Sequence, residues 1–238
     1  MECLYAPHLS LDTTSLALTD DECIHARALR LREGDLVLLS NGVGLCAEAV
    51  VSTLGKVMLE CAITTILTNH NEPHIRLHLA LGILDNRERM EMAVEKGTEL
   101  GMIAFTPLLT DHSQRDRVNS DRLHAKALAA LKQSQRSRLP RIMSAVTVED
   151  FLRANAEAFV ILADAQEGQV PLGLREQLSA KEQDIWLVIG PEGGFSEREL
   201  HLLKPRANAL WQLGGTRLRA ETAAIIGLGV AGVMFDAQ

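Results

Sequence analysis

Ile185-Trp186-Leu187-Val188-Ile189-Gly190-Pro191-Glu192-Gly193-Gly194-Phe195-Ser196-Glu197-Arg198-Glu199-Leu200 is the stretch that decides the fold class. Its five leading apolar residues read as a strand buried on both faces, the pattern of a parallel sheet covered by helices. A glycine turn follows. Ser196 and Glu199 then stand at the N-cap and N3 positions of a capping box, which opens a helix that Pro205 ends. In an open α/β sheet, ligands bind beyond the carboxyl ends of the strands, where this turn lies. Three glycines let backbone approach a ligand closely. The turn has neither G-x-G-x-x-G order nor a Lys-Ser or Lys-Thr after its glycines, and Glu192 sits badly beside a phosphate. A nucleotide polyphosphate is therefore a poor candidate. A plain strand–helix turn that needs glycine for its shape fits the spacing equally well.

Downstream, Ala209–Leu213 reads as a strand and Ala220–Phe235 as an apolar helix, joined by Gly214-Gly215-Thr216-Arg217-Leu218-Arg219. Arg217 and Arg219 precede a helix N-terminus, which favours anions over cations. They point to an external anion, an acidic partner, or a surface ion pair with Glu221. Gly227, Gly229 and Gly232 are costly inside a helix and let another backbone come close. Upstream, strands are expected at Ile75–Ile83, Ile103–Leu109, Arg141–Val146 and Phe159–Ala163. Helices are expected at Arg87–Leu100, at Ser120–Gln135 with Ser120 as N-cap, and from Thr147. Strands alternating with helices give an α/β domain over 71–238. Residues 1–70 read instead as a β meander or small barrel. Its strands are Asp35–Ser40, Leu45–Thr53 and Val57–Leu67, its hairpin turn is Asn41-Gly42, and its one helix is Glu22–Leu31. The polar stretch Thr68–Pro73 is the expected linker.

Composition narrows the function. The 238 residues are 47% hydrophobic and 23% charged, with a net charge of −7, which argues against a basic coat for nucleic acid. Aromatics are only 3%, too few for a module that stacks many bases. The longest apolar run, Ala223–Phe235, is too short for a membrane span, and residues from Met1 onward show no signal-peptide core, so a cytoplasmic location is expected. Cys3, Cys23, Cys46 and Cys61 are expected to be free buried thiols. His74 and His78 share a strand face, and no metal site is expected.

Gly190–Leu200 together with Leu218–Ala224 resembles the C-terminal signature of the SPOUT-class RNA methyltransferases, in particular the family that methylates uridine N3 in 16S ribosomal RNA. The likeness extends upstream in order through Arg87–Glu91, Lys96, Glu99-Leu100-Gly101, Thr106-Pro107-Leu108 and Gln133-Ser134-x-Arg136-x-x-x-Pro140. His25–Leu31 with Gly34-Asp35 resembles the family's N-terminal PUA-like RNA-binding domain. The resemblance implies a PUA-like β-barrel over 1–70 and a trefoil-knotted SPOUT domain over 71–238. It implies S-adenosylmethionine held by Ile189, Gly190, Pro191, Glu192, Gly193, Leu213, Gly214, Leu218, Arg219 and Thr222. It further implies a homodimer that gives the last helix its partner, and 16S ribosomal RNA or the small ribosomal subunit as substrate. Gly215-Thr216-Arg217 departs from the family's Pro-Arg-Ile, and the sequence leaves open whether Arg217 replaces the arginine missing at Thr216.

Under that resemblance the chemistry is direct methyl transfer to an N3 that has lost its proton. Arg219 is the expected guanidinium for the developing anion, and Glu221 orients it or takes the proton. Glu192 is the second acid available for either role. Residues 111–141 hold eight Lys or Arg against three Asp, a local +5 suited to phosphate. Gln133, Arg136 and Arg138 are the expected RNA contacts there, with Arg30 and Arg32 as a second group. Two other readings compete: a related methyltransferase acting on another base or a ribose, and a catalytically silent knotted RNA-binding or assembly protein.

Overall fold

The computed structural model describes residues 1–164 and 184–236, which fall into two units. The first comprises Met1–Glu72 and Leu128–Leu139. Its five-stranded sheet has the order β1 (Glu2–Tyr5), β3 (Leu36–Ser40), β4 (Leu45–Leu54), β5 (Met58–Thr68), β2 (Ser15–Thr19), with α1 (Asp20–Ala28) between β2 and β3 in the chain. β3, β4 and β5 form the expected antiparallel meander. β1 joins it in parallel beside β3, and β2 pairs on the far side of β5. Asn41 makes the β3–β4 turn as its sequence promised, its Oδ1 accepting from the backbone N–H groups of Val43 and Leu45. Leu4, Val37, Leu39, Ala47, Ala49 and Leu59 fill the core with Cys23 and Cys61. All four cysteines are buried and free, and burial pushes the Cys3 thiol up to about 12.

The expected linker is more tightly built than its composition suggests. The Glu72 carboxylate accepts from Ser137 N, Ser137 Oγ and Arg138 N, and pairs with the buried Arg136 guanidinium at 2.6 Å. A buried charge needs such compensation. This is the anchor of Leu128–Leu139, which a division at residue 70 assigns elsewhere.

The second unit, Pro73–Ala127 with Pro140–Gln238, is built on an all-parallel sheet. Its strands are β6 (Arg76–Gly82), β7 (Ala104–Leu109), β8 (Arg141–Ile142), β9 (Val146–Thr147), β10 (Phe159–Ala163), β11 (Asp184–Ile189) and β12 (Ala209–Trp211). The order is β12-β10-β11-β6-β7-β8, with β9 also on β7. β6 is buried from Leu77 to Gly82, a central strand despite its alternating leucines. Its His78 stacks on Trp186 with ring centroids 4.6 Å apart and bonds Asp184 at 2.8 Å.

Helices cover both faces. Val188 and Trp186 of β11 pack with Phe151 of α4 (Val148–Ala154) and Leu203 of α5 (Glu197–Leu203). Leu187, on the other face, lies under Gly227 of α6 (Ala220–Asp236), which also packs on α2 (Arg87–Glu99) and β6. α3 (Ser120–Ser134) begins one residue after its real cap: Asn119 Oδ1 accepts from Arg122 N, so Asn119 takes the place expected of Ser120. The single strand expected at Arg141–Val146 is two short ones. Between β6 and β11 the chain order reverses, and the loops leaving their carboxyl ends define the place for a ligand.

Candidate active site

A cavity of about 910 Å³ opens at the carboxyl ends of β10, β11 and β12. Ile189–Phe195 forms one wall and Trp211–Ala220 the other, so the two sequence loops meet across it. The first loop is shaped by close backbone contacts. A Cβ on Gly82 would lie 2.4 Å from Pro191 Cδ, so glycine at the end of β6 lets the loop lie directly on the strand. Gly194, at φ +72°, closes the turn by donating its N–H to Pro191 O at 2.9 Å. Gly193 leaves room for His112, whose Nδ1 donates to Gly193 O and Gly194 O, each at 3.1 Å.

The helix behind the loop is pinned. Ser196 and Glu199 form the full capping box that the sequence announced. Ser196 Oγ and the Arg198 guanidinium both donate to Asp111, and Arg198 also pairs with Glu149. The Arg198 bond holds the Asp111 carboxyl below its usual range, with Ser196 adding to it.

Of the residues the resemblance assigns to the cofactor, Ile189, Gly190, Pro191, Glu192, Gly193, Leu213, Gly214, Leu218 and Arg219 line the cavity, and Thr222 does not. Arg219 is exposed at the rim, with no ion pair among the described residues. Glu221 is 5% exposed, and among the described residues no hydrogen bond or ion pair joins it to Arg219. The two residues are i and i+2 at a helix start, and such side chains diverge. Glu221 Oε1 lies 3.5 Å from Arg89 Nε, while Oε2 is buried without a hydrogen bond. Arg89 Nη1 also stands 3.8 Å from Glu192 Oε1. Arg89 is thus a site residue that pattern reading missed; it sits inside Arg87–Glu91, but nothing local names partners more than 100 positions away. Arg217 Nη2 donates to Glu192 O at 3.4 Å, and no ion pair joins it to Glu221.

The residues expected to touch RNA divide. Arg30, Arg32, Gln133 and Arg138 are exposed on the first unit. Arg136 is not: at 2% exposure on Glu72 it has become part of the core, because that buried carboxylate needs a cation. The +5 segment is largely compensated as well. Arg115, Arg122, Lys126, Lys132 and Arg136 pair with Asp85, Glu91, Glu95, Glu22 and Glu72, all outside it in sequence.

The cavity suits a small organic cation with apolar parts. Ile189, Trp211, Leu213 and Leu218 give apolar wall, Glu192 a carboxylate, and a Cβ at Gly194 or Gly215 would meet nothing within 4 Å. These residues fit S-adenosylmethionine. Among the described residues no group of three or more His, Cys, Asp or Glu is placed to hold a metal, and no helix is long and apolar enough to cross a membrane.

Residues 70–232 match the RNA methyltransferase domain family. Over 218 residues the chain is 32% identical to ribosomal RNA small subunit methyltransferase E of Rickettsia conorii, covering 90% of this chain and 88% of that one. The fold superposes on the enzyme of that name from Neisseria gonorrhoeae, solved with S-adenosylmethionine, at a TM-score of 0.86 and 22% identity, covering 99% and 98% of the two chains. A Legionella pneumophila protein solved in complex with the bound cofactor S-adenosylmethionine is 26% identical, with a TM-score of 0.83 over 99% of this chain and 98% of that one.

Proposed function

The chain belongs to the ribosomal RNA small subunit methyltransferase E family of RNA methyltransferases, and from that membership we propose that it methylates N3 of a specific uridine in 16S ribosomal RNA. The observation that carries the proposal is the crevice between Ile189–Phe195 and Trp211–Ala220, with one buried and one exposed carboxylate set around Arg89 beside it. S-adenosylmethionine, when bound, supplies an electrophilic methyl on a sulfonium. Backbone of Gly190–Gly193, Leu213-Gly214 and Leu218 would hold it, and the apolar walls would keep water from it. Arg219, at the rim with no ion pair among the described residues, offsets negative charge that develops as the uracil N3 loses its proton. Glu221 acts from behind, through Arg89.

The finer architecture belongs to the same proposal. A trefoil knot in the second domain is supported by the path of α6, which leaves the edge strand β12 and packs back on the central strands β6 and β11. A PUA-like RNA-binding role for the first domain is supported by the exposed Arg30, Arg32, Gln133 and Arg138. A homodimer is supported by Ile226 and Val233 of α6, which are 36% and 75% exposed. The enzyme works in the cytoplasm, on the small ribosomal subunit or its RNA.

Nucleoside mass spectrometry of small-subunit RNA from a strain lacking the gene tests the reading. The expected result is loss of one 3-methyluridine, restored by the intact gene. Loss of a different modified nucleoside would replace the proposal with the related-methyltransferase reading. Absence of S-adenosylmethionine binding in calorimetry would favour the catalytically silent one.

A further inference from the structure

We propose that a second cavity, of about 340 Å³, receives the target uracil, and that His112 accepts its N3 proton there. The proposal deepens the methyltransferase reading and rests on it. The cavity adjoins the crevice and shares Glu192 and Gly193 with it, as transfer between two bound groups requires. Enzymes that modify a base take it out of its stack into a snug pocket and read its hydrogen-bonding edge. Uracil shows an acceptor, a donor and an acceptor along that edge.

The lining answers this pattern. Arg89 is a donor-only cation, held in place by the carboxylates of Glu192 and Glu221. Gln114 adds an exposed amide with no hydrogen bond among the described residues. Of the acceptors that line the cavity, the carboxylates of Glu192 and Asp85 are engaged by Arg89 and Arg115, and His112 supplies another. Its Nδ1 lies 3.1 Å from two carbonyl oxygens, Gly193 O and Gly194 O, and carbonyls only accept. Nδ1 therefore carries the hydrogen, and in that tautomer of the ring the lone pair lies on Nε2. The loop that walls the crevice thus sets the tautomer of the base.

The step balances. The N3 proton passes to His112 Nε2. The N3 electron pair forms the new N–C bond to the sulfonium methyl of S-adenosylmethionine, and the C–S pair stays on sulfur. Arg89 offsets charge on a carbonyl oxygen beside N3. The exposed His112 ring then returns the proton to water. The charged groups around the ring are Asp111, paired with Arg198, and, around the cavity, Arg89, Glu192 and Asp85, the last paired with Arg115.

The test uses the full-length protein with small-subunit particles from a strain lacking the gene. His112→Asn sets an amide N–H near the position of Nδ1 for the two carbonyls but offers no basic nitrogen. We expect kcat to fall by about 100-fold or more with little change in KM. In a readout independent of turnover, an RNA bearing 4-thiouridine at the acceptor position is expected to photocrosslink within residues 85–89 or 112–114. A kcat for His112→Asn within about threefold of wild type would overturn the base assignment, since a positioned base contributes far more. A crosslink confined to peptides outside the cavity would overturn the pocket. Failure of the parent reading shows separately, as wild-type protein that binds no S-adenosylmethionine or makes no 3-methyluridine.

Discussion

Single atoms decide how the crevice is built. Gly82 ends β6 where Pro191 and Gly190 cross it, so Gly82→Ala forces a Cβ to within 2.4 Å of the proline ring and 2.5 Å of its backbone nitrogen. Backbone must move, and overpacking of this kind costs about 1–3 kcal/mol. Because the displaced backbone walls the crevice, we expect S-adenosylmethionine affinity in calorimetry to weaken by about tenfold, equivalent to about 1.4 kcal/mol. Unchanged affinity would mean that the loop is not the binding wall. His78 makes a different kind of prediction. Burial holds its imidazole below the ordinary histidine range, although Asp184 pulls the other way. The native state therefore binds fewer protons than the unfolded chain, and stability is full above the unfolded value of about 6.5 and declines as pH falls below it. His78→Phe keeps a ring against Trp186 and removes the titration. Its urea midpoint should lose less than wild type's between pH 7 and pH 5, and an equal loss in both would show that another group carries the dependence.

At the scale of elements, what the sequence announces depends on how far apart the partners lie. The α5 capping box is legible because Ser196 and Glu199 are three residues apart. The Asn41 turn is legible because its acceptor serves N–H groups two and four residues on. β1 and β2 are not legible as paired strands, since β1 pairs with residues near 37–40 and β2 with residues 58–62. The same distance hides the division of α3 between units and the role of Arg89, whose carboxylate partners are Glu192 and Glu221. The Arg136 guanidinium passes for a surface cation until Glu72 is placed beside it. α6 shows packing overruling local preference. Alanine is a better helix former than glycine by about 1 kcal/mol, so propensity alone predicts that Gly227→Ala stabilises. A Cβ there would lie 2.6 Å from the Leu187 side chain, which is fully buried, and 3.2 Å from Leu213. We expect the opposite sign, a loss of about 1 kcal/mol or more in urea denaturation. Stabilisation would show that Leu187 has room to withdraw.

At the scale of the whole molecule, the question is how a chain of net charge −7 grips RNA. A cluster of eight cations in 111–141 invites the answer that they all meet phosphate, but five of them are ion-paired to acids from elsewhere in the chain. Exposed pairs such as Lys126–Glu95 are weak and open readily to a phosphate. Arg136–Glu72 is of another kind, both side chains being nearly sealed from water. Arg138, beside it, is exposed and bonds Asn69, a neutral partner that leaves its charge available. The two arginines should therefore separate on mutation. Arg138→Ala should weaken RNA binding and reduce the salt slope of log K by about 1, the signature of one lost phosphate contact. Arg136→Ala strands a buried carboxylate and should cost about 3–5 kcal/mol of stability. Its salt slope, measured on the protein that remains folded, should stay that of wild type. Binding titrations across a salt series, run beside urea denaturation, read both quantities. If Arg136→Ala shifts the slope as far as Arg138→Ala does, the buried ion pair opens when RNA binds, and the charge at Glu72 belongs to the RNA-binding surface.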